Sequence, residues 1–147
     1  REYGIEMVNL EKLLAESDFV SLHVPLSDAT RNMICQRTLE LMKPTAFLIN
    51  TARGGLVCEK HLTGALEQRT IGGAALDVFA EEPFASDHPL LRCENVILSP
   101  HMSSTDSQSY IDMALDAATN IIALYRGEWP HSNIVNAQLR GDWQWSR

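Results

Sequence analysis

With 147 residues and 45% hydrophobic content, the chain is long enough to bury a core of ordinary domain size and too apolar for a disordered segment. Its formal net charge of −7, with Lys and Arg scattered along the sequence, excludes a phosphate-tracking stripe or a basic membrane-binding face. Any anionic ligand must therefore be held locally, against the global field.

In chain order, Gly4 to Val8 reads as a short strand and Asn9 to Ala15 as a short helix that turns Leu10, Leu13 and Leu14 toward a core. Phe19 to Val24 is an apolar strand that runs into His23, Val24 and Pro25. The Pro25 to Thr30 loop leads to a helix over about Cys35 to Lys43, which must stop before Pro44. Phe47, Leu48 and Ile49 follow with no polar alternation, as expected of a parallel strand buried on both faces, and the run ends in Arg53 on the Gly54-Gly55 turn.

Glu59 to Arg69 is a helix with Leu62, Ala65 and Leu66 on one face, and Gly64 inside it costs about 1 kcal/mol relative to Ala. Gly73 to Leu76 runs into Asp77, and Val96 to Leu98 runs into Ser99, Pro100 and His101. The longest helix spans about Thr105 to Arg126, its stripe from Tyr110 to Tyr125 spaced for a core. Thr105 with Gln108 offers a capping box, Asp106 suits the positive end of the dipole, and Gly127 follows as the C′ residue. The tail with Trp143 and Trp145 has no readable period.

Cys35, Cys58 and Cys93 are odd in number, widely spaced and without paired metal spacing, which fits reduced thiols in a reducing compartment. No apolar stretch is long enough to span a bilayer and no charged-then-apolar leader is present, so a soluble, cytoplasmic chain is expected. The first residue is Arg1, which suggests a piece of a longer protein, although processing would leave the same start.

Apolar strands joined by helical segments favour right-handed parallel crossovers, and parallel strands bring their polar ends to one rim. Ligands bind at that rim in open α/β sheets. Arg53, the Asp77-Val-Phe-Ala-Glu-Glu-Pro83 loop and His101 are thus expected to meet there. A carboxylate of that loop, Glu81 or Glu82, can support the imidazole, favouring its protonated form and fixing its tautomer. Arginine with a carboxylate-supported histidine suits interconversion of a 2-keto acid and a 2-hydroxy acid. Arg53 would grip the carboxylate and polarise the keto oxygen, and His101 would exchange the hydroxyl proton as hydride moves to or from a nicotinamide.

The runs Ser21-Leu-His-Val-Pro-Leu26 with Thr30, Leu48-Ile-Asn-Thr-Ala-Arg-Gly-Gly-Leu-Val57, Gly73-Ala-Ala-Leu-Asp-Val-Phe-Ala-Glu-Glu-Pro83 and Ser99-Pro-His101 resemble the D-isomer-specific 2-hydroxyacid dehydrogenases. The resemblance extends to about Asn136, through Arg126-Gly127 and Val135-Asn136. It implies the C-terminal part of a doubly wound, Rossmann-type NAD-binding domain over residues 1–104, then a crossover helix and C-terminal tail of the substrate domain over 105–147.

By that resemblance Arg53, Glu82 and His101 match the catalytic arginine, glutamate and histidine. Thr51, Ala52 and Asp77 match positions holding the nicotinamide side of NAD, and the loop with Val24, Pro25 and Thr30 lines it. Arg53, His101 and Ser103 complete the expected cofactor contacts. NAD rather than NADP is the family default, and the parent is expected to be a homodimer.

Departures from the family pattern are Met102, Ser103 and Ser104 where small residues, often glycines, are common, Cys58 where an aspartate usually starts a helix, and Thr45 at a common turn glycine. Cys58 is a weaker cap by about 1 kcal/mol. No Gly-x-Gly-x-x-Gly occurs, so the pyrophosphate loop is expected upstream of Arg1 and the isolated chain is expected to be inactive. Gly4 to Val8 would then be the third strand of the family sheet, parted from the fourth by absent strands, and residues 1–8 poorly anchored. A rival reading, similar to the C-terminal-binding-protein corepressors, is an NAD(H)-sensing binding protein. A tryptophan follows the histidine there, where this chain has Ser103 and Ser104. An inactive remnant is a third reading.

Overall fold

The computed structural model describes residues 4–130 and 134–141. The chain folds as two compact units, residues 1–103 and 104–147. His131, Trp143 and Trp145 lie outside the described residues.

The first unit is built on strands β1 (Phe19–Leu22), β2 (Phe47–Asn50), β3 (Gly73–Leu76) and β4 (Val96–Leu98). All pair in parallel in the order β1-β2-β3-β4, with Phe19 opposite Phe47, Phe47 opposite Gly73, and Ala74 opposite Val96. Helices α1 (Leu10–Glu16), α2 (Gln36–Leu39) and α3 (Glu59–Glu67) come before or between the strands, with 3-10 turns at Gly54–Leu56 and Pro89–Arg92. The parallel α/β arrangement expected from the apolar runs is the one observed.

β2 is not buried on both faces as its unbroken apolar run suggests. Val20, Leu22, Leu48, Ala74 and Leu76 pack against Leu14, Leu39, Leu62 and Leu66, whereas Phe19, Phe47 and Ile97 on the other face are exposed. The reason is topological. Every crossover steps in the same direction along the sheet, and right-handed crossovers that step one way lay their connecting segments on one face. Phe19 and Phe47 stack on each other at 5.8 Å between ring centroids.

Residues 4–8 form no strand. Gly4 adopts φ 68°, Ile5 and Met7 are exposed, and no strand lies beyond β1 to supply a ladder among the described residues. α1 forms as expected, with the Asn9 side chain accepting from the Lys12 amide at 2.9 Å. It buries Leu14 and half-buries Leu10, but Leu13 faces outward. The expected helix over Cys35 to Lys43 shrinks to Gln36–Leu39. Leu41 and Met42 bond to carbonyls three residues back, so the backbone tightens into turns before Pro44. α3 buries Leu62, Ala65 and Leu66 as read, and Cys58 is its N-cap without a side-chain bond.

In the second unit, helix α4 (Ser107–Tyr125) has Asp106 as its cap, not Thr105. The Asp106 carboxylate accepts from the Gln108 and Ser109 amides at 2.9 and 3.0 Å. Its C-terminus closes on Gly127 at φ 80°, with the Gly127 amide bonded to Leu124 O and the Glu128 amide to Ala123 O. No residue of α4 is buried, and Tyr110, Ile111, Ile121 and Ile122 of its stripe are exposed rather than core. A single amphipathic helix cannot cover its own apolar face. A 3-10 turn at Ala137–Gly141 ends the described chain.

Candidate active site

Each strand delivers a polar group at its carboxyl end, and the loops that follow converge. Asn50, the last residue of β2 and fully buried, donates from Nδ2 to Arg53 O at 3.0 Å and accepts the Ala52 amide at 3.1 Å. This small ring of bonds fixes the turn from which Arg53 projects. Gly54 then lets that turn press against the loop after β3, because a Cβ there would lie 1.9 Å from the Phe79 carbonyl carbon. Arg53 is exposed, its guanidinium donates to Ala52 O at 2.6 Å, and no carboxylate pairs with it among the described residues.

The loop after β3 places Glu82, not Glu81, beside the imidazole. Glu82 Oε2 lies 2.8 Å from His101 Nδ1, and Oε1 accepts the Phe79 amide at 3.0 Å. The hydrogen bond to His101, with the Phe79 amide, holds the Glu82 carboxyl below the usual carboxylate range. With Nδ1 facing Glu82, Nε2 is the ring nitrogen left for a substrate. Arg53, Glu82 and His101 line one open cleft of about 330 Å³, together with Leu26, Arg31 and Asn32.

His101 takes φ 56°, a conformation unfavourable for a side chain with a Cβ. The residue that holds it there is Asp77, which is buried at the end of β3. Asp77 Oδ1 accepts from the Ser99 hydroxyl and from the Met102 amide at 2.8 Å, and Oδ2 accepts the Ser103 amide at 2.9 Å. Burial pushes this carboxyl up, but the bonds from Ser99, Met102 and Ser103 outweigh it and leave Asp77 ionised well below the usual range. Both of its oxygens thus serve the backbone that flanks His101.

The remaining expected cofactor positions fall on the same rim. Val24, Pro25, Leu26, Ala52 and Arg53, with His23, line a second open cleft of about 500 Å³, which shares Leu26 and Arg53 with the first. Thr30 braces this wall from behind: its hydroxyl donates to Pro25 O at 2.7 Å and accepts the Ser27 amide at 2.8 Å. Thr51 and Ser103 are exposed, and neither is among the residues that line this cleft. His23 bonds Ser21 Oγ at 2.8 Å. A wall of Val24, Pro25, Leu26 and Ala52 leading to a cation and an imidazole fits a flat nicotinamide ring with an anionic reactant against it.

Sequence reading missed two supporting groups. Glu59, in the first turn of α3, accepts the Ala80 amide at 2.6 Å through Oε1, and its Oε2 lies 3.2 Å from His88 Nε2. His88 also packs on Phe84, which packs on Phe79. Glu59 and His88 therefore clasp the loop that carries Glu82. Their separation in sequence gives no motif, and only the acidic first turn of α3 hinted at a role. Asn50 was also passed over, although it is a polar residue directly after the apolar run of Phe47, Leu48 and Ile49.

Residues 1–103 match the family model described as "D-isomer specific 2-hydroxyacid dehydrogenase, NAD binding domain". A glyoxylate reductase of Korarchaeum cryptofilum is 51% identical over 139 residues, which cover 95% of this chain and 42% of that protein. A glyoxylate reductase of Thermococcus litoralis is 48% identical over 138 residues, 94% of this chain and 41% of that protein. Among solved structures, the NAD-complexed D-isomer specific 2-hydroxyacid dehydrogenase of Lactobacillus delbrueckii ssp. bulgaricus superposes with a TM-score of 0.81 at 35% identity, covering 88% of this chain and 43% of that one. The chain thus spans about two fifths of the length of the relatives it matches.

Proposed function

The chain belongs to the D-isomer specific 2-hydroxyacid dehydrogenase family, and from that premise we propose that it supplies the catalytic rim of an enzyme transferring hydride between NAD(H) and a D-2-hydroxy acid/2-keto acid pair. The observation that carries this reading is one cleft holding a guanidinium with no carboxylate partner among the described residues and a carboxylate-supported imidazole, Arg53 and Glu82–His101. NAD, when bound, donates or accepts the hydride at its nicotinamide ring.

Arg53 binds the substrate carboxylate and draws electron density toward the keto oxygen. His101 delivers its Nε2 proton to that oxygen in reduction and takes it back in oxidation, while Glu82 on Nδ1 fixes the tautomer and orientation of the ring. The wall from Val24 to Leu26, with Ala52, would hold the nicotinamide side of NAD and would keep water from that side. Asp77 holds the backbone at Met102 and Ser103, so its contribution to the cofactor side runs through the position of that loop. Residues 1–104 form the second half of the NAD-binding domain and 105–147 the return toward the substrate domain. Since no Gly-x-Gly-x-x-Gly lies in the chain, it holds only the nicotinamide side of the dinucleotide and does not turn over alone.

The names of the relatives make glyoxylate the first 2-keto acid to try. The test is NADH consumption with glyoxylate by the longest polypeptide in this reading frame, with the chain itself in parallel. Turnover by the longer polypeptide that vanishes in Arg53→Ala is the expected result. NADH binding without turnover of any small 2-keto acid would instead favour a binding protein.

A further inference from the structure

Outside the catalytic rim, the segments that lead into α2 and α3 run side by side, and each ends in a cysteine. Ile34 and Val57 form an isolated parallel bridge. The Ile34 amide donates to Leu56 O at 3.0 Å, and the Cys58 amide donates to Ile34 O at 2.8 Å. The bridge is isolated and the ladder ends there, but segments paired in this way lie roughly 4.8 Å apart. Cys35 and Cys58 are the next residues on the two segments. A disulfide needs roughly 4.4–6.8 Å between Cα atoms, a reach compatible with two residues one step beyond such a bridge.

Side-chain direction agrees with register. Ile34 and Val57 point inward, 0% and 2% exposed. Successive side chains on extended backbone alternate in direction, so Cys35 and Cys58 leave together on the opposite side. Both are half-buried free thiols, within reach of a small molecule. Neither sulfur is locked away. Cys58 heads α3 without a side-chain bond to it, and Cys35 Sγ accepts from groups in the first turn of α2, the amide and hydroxyl of Thr38 and the Arg37 amide.

We propose that Cys35 and Cys58 are a redox pair that closes to a disulfide on meeting a small-molecule disulfide such as oxidised glutathione. The Cys35 thiolate attacks one glutathione sulfur and expels the other half as a thiolate. The Cys58 thiolate then attacks Cys35 Sγ and expels the second. Two protein thiols are oxidised, one glutathione disulfide is reduced to two thiols, and the two cysteine protons pass to the leaving groups. The Thr38 backbone bond lowers the Cys35 thiol from its ordinary value, which suits it to attack first. Burial pushes the Cys93 thiol up, which makes it the internal control.

Closure would tie the start of α2 to the start of α3 across residues 35–58, a loop that contains β2 and the Arg53 turn. The Asn32 amide already bonds Gly55 O at 2.9 Å across the same seam. The cross-link therefore braces a contact the fold has made, and it does so whether or not the chain takes part in hydride transfer.

The experiment is native incubation of the full chain with oxidised glutathione, quenching by alkylation, and intact and tryptic mass spectrometry. The expected product has lost two hydrogens, joins peptides 32–37 and 54–60, leaves Cys93 alkylated, reverts with dithiothreitol, and melts at a higher temperature than the reduced chain. Cys58→Ser should stop at a single glutathione adduct on Cys35. Separate adducts on Cys35 and Cys58, a link to Cys93, alkylation of all three cysteines, or a cross-link that forms only in denaturant would overturn the proposal.

Discussion

Gly54 and Phe79 belong to different loops, yet their backbones meet so closely that no side chain fits between them. A Cβ on Gly54 would lie 1.9 Å from the Phe79 carbonyl carbon and 2.0 Å from its oxygen. That approach brings the turn bearing Arg53 against the loop bearing Glu82. Gly54 is buried and its neighbour is main chain, so a methyl group can enter only by moving a loop. Gly54→Ala should destabilise the chain by about 1–3 kcal/mol, in the range of overpacked cores, and lower turnover of the longer polypeptide. Denaturant unfolding checks the first effect and NADH consumption the second.

Asp77 serves as a clamp, so removing its charge should loosen the segment after His101. In Asp77→Asn one oxygen is replaced by a donor facing the Ser103 amide, and the loss should be about 1–3 kcal/mol. The acid limb should change as well. Because the folded carboxyl titrates below its unfolded value of about 3.9, its contribution is complete above that value and is lost as pH falls through the depressed one. Wild-type stability should therefore fall more steeply below about pH 4 than that of Asp77→Asn. Urea titrations at several acid pH values measure the difference.

Glu82→Gln keeps an acceptor for the Phe79 amide but removes the charge beside His101. Turnover should drop roughly tenfold to hundredfold, with substrate binding little altered. The Glu82 carboxyl also sits below its ordinary value, so its negative charge beside His101 is present at neutral pH and is lost as acid protonates it. The acid limb of kcat that reports this loss should be absent from Glu82→Gln. Nitrogen-detected NMR of the His101 ring checks the same contact in the chain alone.

Arg53 and His101 should fail in different ways. Arg53→Ala removes the group proposed to bind the substrate carboxylate, which should raise KM and lower kcat together. His101→Ala should chiefly lower kcat, by roughly 10²–10⁴ for the lost proton transfer. Steady-state kinetics of the longer polypeptide separate the two patterns, and unchanged kinetics in both variants would remove these residues from the mechanism.

Glu59→Ala should free the Ala80 amide and strip His88 of its carboxylate. Leaving that bond unmade should cost about 1–3 kcal/mol and raise hydrogen exchange at Ala80, whereas Glu59→Gln should retain most of the protection. Exchange rates across residues 79–88 provide the measurement.

Much of this was legible in one dimension. The strands ending at Leu22, Asn50, Leu76 and Leu98 are short apolar runs, and each is followed by its polar residues, so the runs and the chemistry at their ends are local properties of the chain. Parallel pairing then follows from the helical length between them, and it places Arg53, Asp77 and His101 on one rim. α3 and the Gly127 stop of α4 were likewise readable, since periodicity and cap residues act within a turn or two.

Only tertiary structure decided which of Glu81 and Glu82 turns to His101, because that depends on the Phe79 amide and on the loop held by Glu59. It also showed that Asp77 spends its carboxylate on the backbone after His101, that residues 4–8 have no ladder to join, and that Phe19, Phe47 and Ile97 face outward. Each of these rests on partners distant in sequence or on the side of the sheet a crossover takes. Periodicity states what a segment can bury; only the packed chain states what lies opposite it.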